Sequence, residues 1–373
     1  MPGNVLGERF VVVSFGESHG KCVGVVIDGC PAGLPLSEED VQPLLDLRRP
    51  GQSSISTPRK EEDRVEILSG VFRGHTTGAP IAMVVWNRDV DSRSYERLLE
   101  TPRPGHADYF AKVKYGGFND YRGGGRFSGR ITAGFVMAGA VALKLLRETL
   151  GVEVMAYVKQ VGEVVAPEMP IDAIRERRYS NEVRCPDEET ATRMAELIRE
   201  ARASGDSVGS LVECIAVNVP QGLGEPVFSS LDSDLSRALF SIPAVKGVEF
   251  GRGFGVVRSR GSENNDPLTL MDGKVLPKTN NAGGIVGGLS TGREIVVRIA
   301  FKPPASISKP QRTLNLSTMR EEDVVVTGRH DPVIGPRAVP VVESVVAIVL
   351  ADHAIRAGLI PPVLRASSPE RDA

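Results

Sequence analysis

Two long apolar stretches constrain this chain more than any other feature. Ile131–Leu150 is apolar over a broad face and runs into Gly151; Val339–Ala357 is similar and runs into Gly358. Glycine just past a periodic run suits the left-handed residue that closes a helix, so both stretches predict long helices. Their apolar faces must be covered by other layers. A membrane is not read as that cover: the most apolar late segment, Ala338–Leu350, contains Glu343 and falls short of the ~20 residues a bilayer crossing needs. Met1–Phe10 lacks the basic start and apolar core of a secretory signal, and the expectation is a soluble, cytoplasmic protein with no membrane association.

Valine-rich strands supply the layers. Arg9–Phe15 and Cys22–Asp28 predict a strand pair joined by the tight loop Gly16–Lys21, and Val65–Val71, Ala82–Trp86, Val208–Val219 and Glu294–Ala300 predict further strands. Ser37-Glu-Glu-Asp40 opens a short helix through Leu47 in the manner of a capping box, and Pro186–Ala203 predicts a charged amphipathic helix. Gly51–Asp63 is polar and predicts a loop. Each long helix follows an arginine-dense loop, a pattern that suggests two related halves within one domain over residues 1–365, with 366–373 as a flexible tail.

The formal net charge is −2, so no global positive field exists to collect nucleic acid, and any anion chemistry must be local. Cys22, Cys30, Cys185 and Cys214 show no metal-type spacing and are read as reduced and structural, with no metal site expected. No GxxxxGK[ST] loop, no strand-borne GxGxxG, no nucleophile elbow and no HExxH pair occurs.

The chemistry-bearing residues sit in glycine- and arginine-rich loops. RGGGRFSGR, Arg122–Arg130, precedes the first long helix. Helix N-termini expose unpaired N–H groups, glycines let backbone approach a ligand, and guanidinium groups bond carboxylate or phosphate in pairs. The stretch reads as an anion cradle; arginine–glycine clusters also occur in RNA-binding tails, and a plain structural turn is the blander reading. GRHDPVIGPR before the second long helix brings Arg329, His330, Asp331 and Arg337. GESHG brings Ser18 and His19, RPGHADY brings Arg103, His106 and Asp108, and LRRPG brings Arg48 and Arg49. Only five histidines occur, and three of them lie in these loops. The whole points to a small molecule with several negative charges and to histidines that move protons.

GESHGKCVGVVIDGCP, RPGHADY, RGGGRFSGR and GRHDPVIGPRAVPVVES, in this order and over nearly the whole chain, closely resemble the chorismate synthase family. The resemblance implies an α+β fold, a βαβ sandwich with long helices between antiparallel sheets, assembled as a homotetramer. It implies elimination of phosphate from 5-enolpyruvylshikimate 3-phosphate to give chorismate, with reduced FMN (FMNH2) required but not consumed. NADPH would enter only indirectly, through an external flavin reductase, as the compact chain length suggests. By the same resemblance Arg48, Arg103, Arg130 and Arg329 look like substrate clamps, Ser18 and Ser128 like hydroxyl partners, and Arg337 like a further anion contact. Arg126, Phe127, Ser128, Ala244, Gly287, Lys302, Pro303, Pro304, Ala305, Ser306 and Arg329 look like flavin contacts. His19 would serve the departing phosphate, His106 the reduced cofactor's charge, and Asp331 would accept a proton. Two positions depart from the family's pattern: Phe127 stands where a serine is expected, and Ser54 where an arginine often follows, with Arg59 or Lys60 as candidate replacements.

Overall fold

Branched side chains build two antiparallel sheets, and the two long helices fill the space between them. The computed structural model describes residues 3–51, 62–88, 92–326 and 330–365. The first sheet contains β1 (Val5–Leu6), β2 (Val11–Gly16), β3 (Cys22–Asp28), β4 (Val65–Ile67) and β5 (Ile81–Trp86) in the order β1-β2-β3-β5-β4. Its pairs are antiparallel, with Val11 opposite Asp28 and Cys22 opposite Trp86. The second contains β6 (Glu153–Val161), β7 (Val164–Val165), β8 (Ser210–Val217), β9 (Val245–Phe250) and β10 (Ile295–Phe301) in the order β9-β10-β8-β6-β7, again antiparallel. Strand β10 alternates buried Ile295, Val297, Ile299 and Phe301 with half-buried residues, while β6 and β8 are buried along most of their length, because Met155, Tyr157, Ile215 and Val217 form a smaller apolar cluster with Ile174.

The helices include α1 (Glu38–Arg48), α2 (Asp108–Lys114), α3 (Thr132–Leu150), α4 (Glu188–Ala203), α5 (Leu231–Leu239) and α6 (Gly335–Arg356). Helix α3 packs on β3, α6 packs on β6 and β8, and the two helices pack on each other. Gly139 permits that approach: a Cβ there would lie 2.1 Å from the Ser344 Cβ. The result is the α+β sandwich with helices between antiparallel sheets.

Helix α3 begins and ends where its sequence suggests, closing on Gly151 at φ 66°. Helix α6 starts four residues ahead of Val339, because Pro336 occupies the first turn, where its missing N–H costs nothing. At 22 residues α6 is long enough to span a bilayer, contrary to the length reading, but 94% of its most apolar window is buried inside the protein. Glu343 in its middle is satisfied: its carboxylate accepts from Ala156 N at 2.8 Å, Arg178 Nε at 3.0 Å and Tyr179 Oη at 2.7 Å. Burial pushes that carboxyl above its ordinary value, with Arg178 opposing. Near the end of α6, Asp352 Oδ1 accepts the backbone N–H groups of Glu8, Arg9 and Phe10 at 2.8, 2.6 and 2.8 Å, and Ala32 bridges to Val363. The strand read as Val65–Val71 stops at Ile67 and gives way to a small hairpin, Val71–Phe72 with His75–Thr76. The four cysteines are free thiols. Residues 52–61, which include Ser54, Arg59 and Lys60, and the tail 366–373 lie outside the described residues.

Candidate active site

The N-terminal ends of α3 and α6 open into a cavity of about 950 Å³. The glycines of RGGGR decide its shape. Gly123, Gly124 and Gly125 take φ values of 62°, 81° and 51°, a left-handed run closed to residues with a Cβ at low cost. A Cβ on Gly123 would lie 2.2 Å from His19 Cδ2, and one on Gly124 would lie 3.4 Å from His106 Cε1. The bare backbone thus threads between the two histidines.

Each histidine is held from behind. His19 Nδ1 lies 2.9 Å from Ser92 Oγ, and the Tyr95 ring meets the imidazole edge-on at 5.2 Å. His106 Nδ1 lies 2.6 Å from Asp108 Oδ1. Asp108 also takes a two-pronged bond from Arg103, through Nε at 2.8 Å and Nη2 at 2.7 Å, while Arg103 Nη1 donates to Ser306 Oγ at 2.9 Å. Burial alone would raise the Asp108 carboxyl, but the bonds from Arg103 and His106 outweigh it and hold it well below the ordinary carboxylate range.

A second carboxylate organises the arginines at the start of α3. Asp63 bonds Arg48 Nη1 at 2.7 Å through one oxygen and Arg130 Nη1 through the other, with its side chain wholly buried. Burial would raise this carboxyl too, and Arg48, then Arg130, hold it below its ordinary value. Burial pushes Arg48 down to about 9, with Asp63 opposing and Arg337 and Arg130 adding to the fall. Arg337 pairs with Asp331 through Nη1 and donates from Nε to the Arg48 carbonyl at 3.1 Å.

The cavity brings together Ser18, His19, Arg48, Arg103, His106, Arg126, Phe127, Ser128, Arg130, Ala244, Lys302, Pro304, Ala305, Ser306, Asp331 and Arg337. Ala244 and Lys302, distant in sequence, are joined by a backbone bond of 3.0 Å, with Ala244 in the left-handed region at φ 74°. Two expected residues do not line it. Gly287 forms the tight turn of the hairpin Ile285–Val286 with Leu289–Ser290, which accounts for its glycine, and Pro303 is turned toward Gly209. Arg329 lies outside the described residues.

The three arginines of RGGGRFSGR do not form one cradle. Arg122 is on the surface with Asp120. The Arg126 guanidinium is bound to Gly16 O at 2.8 Å, Asn4 Oδ1 at 2.9 Å and Ser14 Oγ at 3.0 Å. Only Arg130 joins the buried cluster. Ser128 caps the turn by accepting from Arg130 N at 3.2 Å. Asp63, Asn87, Ser92 and Tyr95 escaped the sequence reading; Asp108 was visible there, two residues past His106, but without a role.

A cationic cavity at two helix N-termini, crossed by paired carboxylates and flanked by two histidines, has the chemistry of an enzyme site suited to a small acidic molecule. The chorismate synthase family model matches residues 10–355. A chorismate synthase of Korarchaeum cryptofilum is 57% identical over 356 residues, covering 95% of this chain and 98% of its own. One of Dehalococcoides mccartyi is 53% identical, covering 97% and 99%. A crystal structure of chorismate synthase superposes with a TM-score of 0.74 at 31% identity, covering 94% of this chain and 93% of that one. The chain belongs to the chorismate synthase family, carbon–oxygen lyases of chorismate and aromatic amino acid biosynthesis.

Proposed function

We propose that the protein eliminates phosphate from 5-enolpyruvylshikimate 3-phosphate to give chorismate, with reduced FMN as a cofactor that is not consumed overall. The observation that carries this reading is the meeting of His19, His106, Arg130 and Arg337, from four separate segments, in one cavity of about 950 Å³. That volume stands near the top of the ~300–1,000 Å³ range of small-molecule sites and suits two ligands together.

The wall fits a flavin. Gly124 leaves room beside His106 that a Cβ would enter, and the Ala244–Lys302 bond joins two of the implied flavin segments into one edge continued by Ala305 and Ser306. Arg126 would offer the cofactor its backbone, since its guanidinium is engaged on β2. Reduced FMN, held along the edge formed by Ala244, Lys302, Ala305 and Ser306, would supply transient electron donation to the allylic system. Arg130 and Arg337 bind the substrate's acidic groups, with Arg48 and Arg103 behind them. His19 gives a proton to the departing phosphate. His106, set on Asp108, balances negative charge beside the cofactor. Asp331, steadied by Arg337, is the final acceptor of the proton that the reaction releases.

The sheets are read as two halves of one domain over residues 1–365. The exposed side chains of Phe254, Val257, Leu268 and Leu270 fit contacts with further copies in a cytoplasmic homotetramer. The deciding experiment is an anaerobic assay with chemically reduced FMN and the enolpyruvyl substrate, monitored for chorismate and phosphate. His19→Ala and Asp331→Ala should each lower turnover by ~100-fold with the fold intact by circular dichroism. Wild-type protein that forms no chorismate would refute the reading.

A further inference from the structure

Asp63 closes a polar segment with nothing in its sequence to mark it, yet it is the hub of the arginine cluster. Its backbone sits in the left-handed region at φ 47°, and its carbonyl accepts from Gln42 Nε2 of α1 at 3.2 Å. The two arginines it holds are not equivalent. Arg48 places Nε on Thr132 Oγ1 at 3.2 Å, Nη2 on Gly129 O at 3.1 Å and Nη1 on Asp63, so each of its nitrogens has a protein acceptor. Arg130 places Nε on Asn87 Oδ1 at 3.0 Å and Nη1 on Asp63, but its buried Nη2 has no acceptor among the described residues. A buried donor left without an acceptor is costly and needs a reason. Arg130 lines the cavity, and a ligand supplies that reason.

We propose that Asp63 is a positioning residue: anchored by Arg48, it acts with Asn87 to aim Arg130, so that Nη2 meets a carboxylate or phosphate of the substrate. Arg48 is then an anchor more than a clamp, and Arg130 is the arginine that reads the anion. The inference deepens the function proposed above and rests on it.

Asp63→Glu keeps the charge but lengthens the side chain, so pairing survives while the aim of Arg130 shifts. Calorimetric titration with the enolpyruvyl substrate, in the presence of oxidised FMN to prevent turnover, should show affinity weaker by ~10–100-fold. FMN affinity and the unfolding temperature should stay near wild type, and in turnover the loss should fall on KM more than on kcat. Asp63→Asn should weaken substrate binding in the same direction and supplies the second variant. Wild-type substrate affinity in Asp63→Glu would overturn the proposal, as would equal losses for substrate and FMN, the mark of a merely structural role. Inorganic phosphate, titrated in parallel, separates the two readings. Wild-type protein that binds phosphate but not the enolpyruvyl ester defeats the function and leaves Asp63 to be judged on phosphate alone. Protein that binds neither ends both.

Discussion

Two carboxylates organise the cavity wall, and they differ in what they hold. Asp63 is sealed between two guanidinium groups, with its side chain 0% exposed; Asp108 is 13% exposed and holds one guanidinium and one imidazole. A carboxylate between two guanidinium groups keeps a fixed geometry through neutral pH, where both stay charged. A carboxylate between an arginine and a histidine orients a group that can still gain or lose a proton. The first arrangement suits recognition of a constant anion, the second a site where charge changes during reaction. In both, the arginines arrive already paired, so the positive field of the cavity is smaller than a count of its arginines suggests.

The comparison breaks if the two carboxylates prove interchangeable. Asp63→Asn strands two buried guanidiniums without a counter-charge and should cost about 3–5 kcal/mol of folding stability, read from urea denaturation. Asp108→Asn leaves Arg103 with Ser306 and a less buried setting, and the same measurement should give about 1–3 kcal/mol. Acid sharpens the contrast with the variants. Both carboxyls lie below the ordinary 3.8 in the folded protein, so their contributions are complete above that pH and fade as the pH falls through the lower folded-state values. The stability deficit of Asp108→Asn should therefore narrow when unfolding is repeated below about pH 4. The smallest change expected is in Ser128→Ala, which removes a cap on the Arg130 backbone N–H but leaves both carboxylates paired, and should cost about 1 kcal/mol by thermal unfolding.

The long helices and several strands were legible because apolar periodicity and terminal glycines report directly on burial, but β6 (Glu153–Val161) and β9 (Val245–Phe250) of the second sheet were not read. The start of α6 was not, since Pro336 reads as a break in sequence yet is compatible with a first turn. The site's loops were legible from the crowding of arginine, histidine and glycine. What each arginine does was not: Arg122, Arg126 and Arg130 look alike in RGGGRFSGR and end on the surface, on β2 and in the buried cluster. Asp63 was invisible for the same reason, because its partners lie 15 and 67 residues away and only the fold brings them to it. Gly287 shows the converse: its glycine is accounted for by a hairpin turn, and it is not among the residues lining the cavity.

The contact between Asp352 and the N–H groups of residues 8–10 has a consequence for how the chain is made. The opening strands are translated well before the helix that covers the interior and ties down their entry, which lies 342 residues further along the chain. At ~5–20 residues per second, the nascent chain must carry an unfinished, greasy half-structure for tens of seconds. The interior of this protein can close only after α6 has been made.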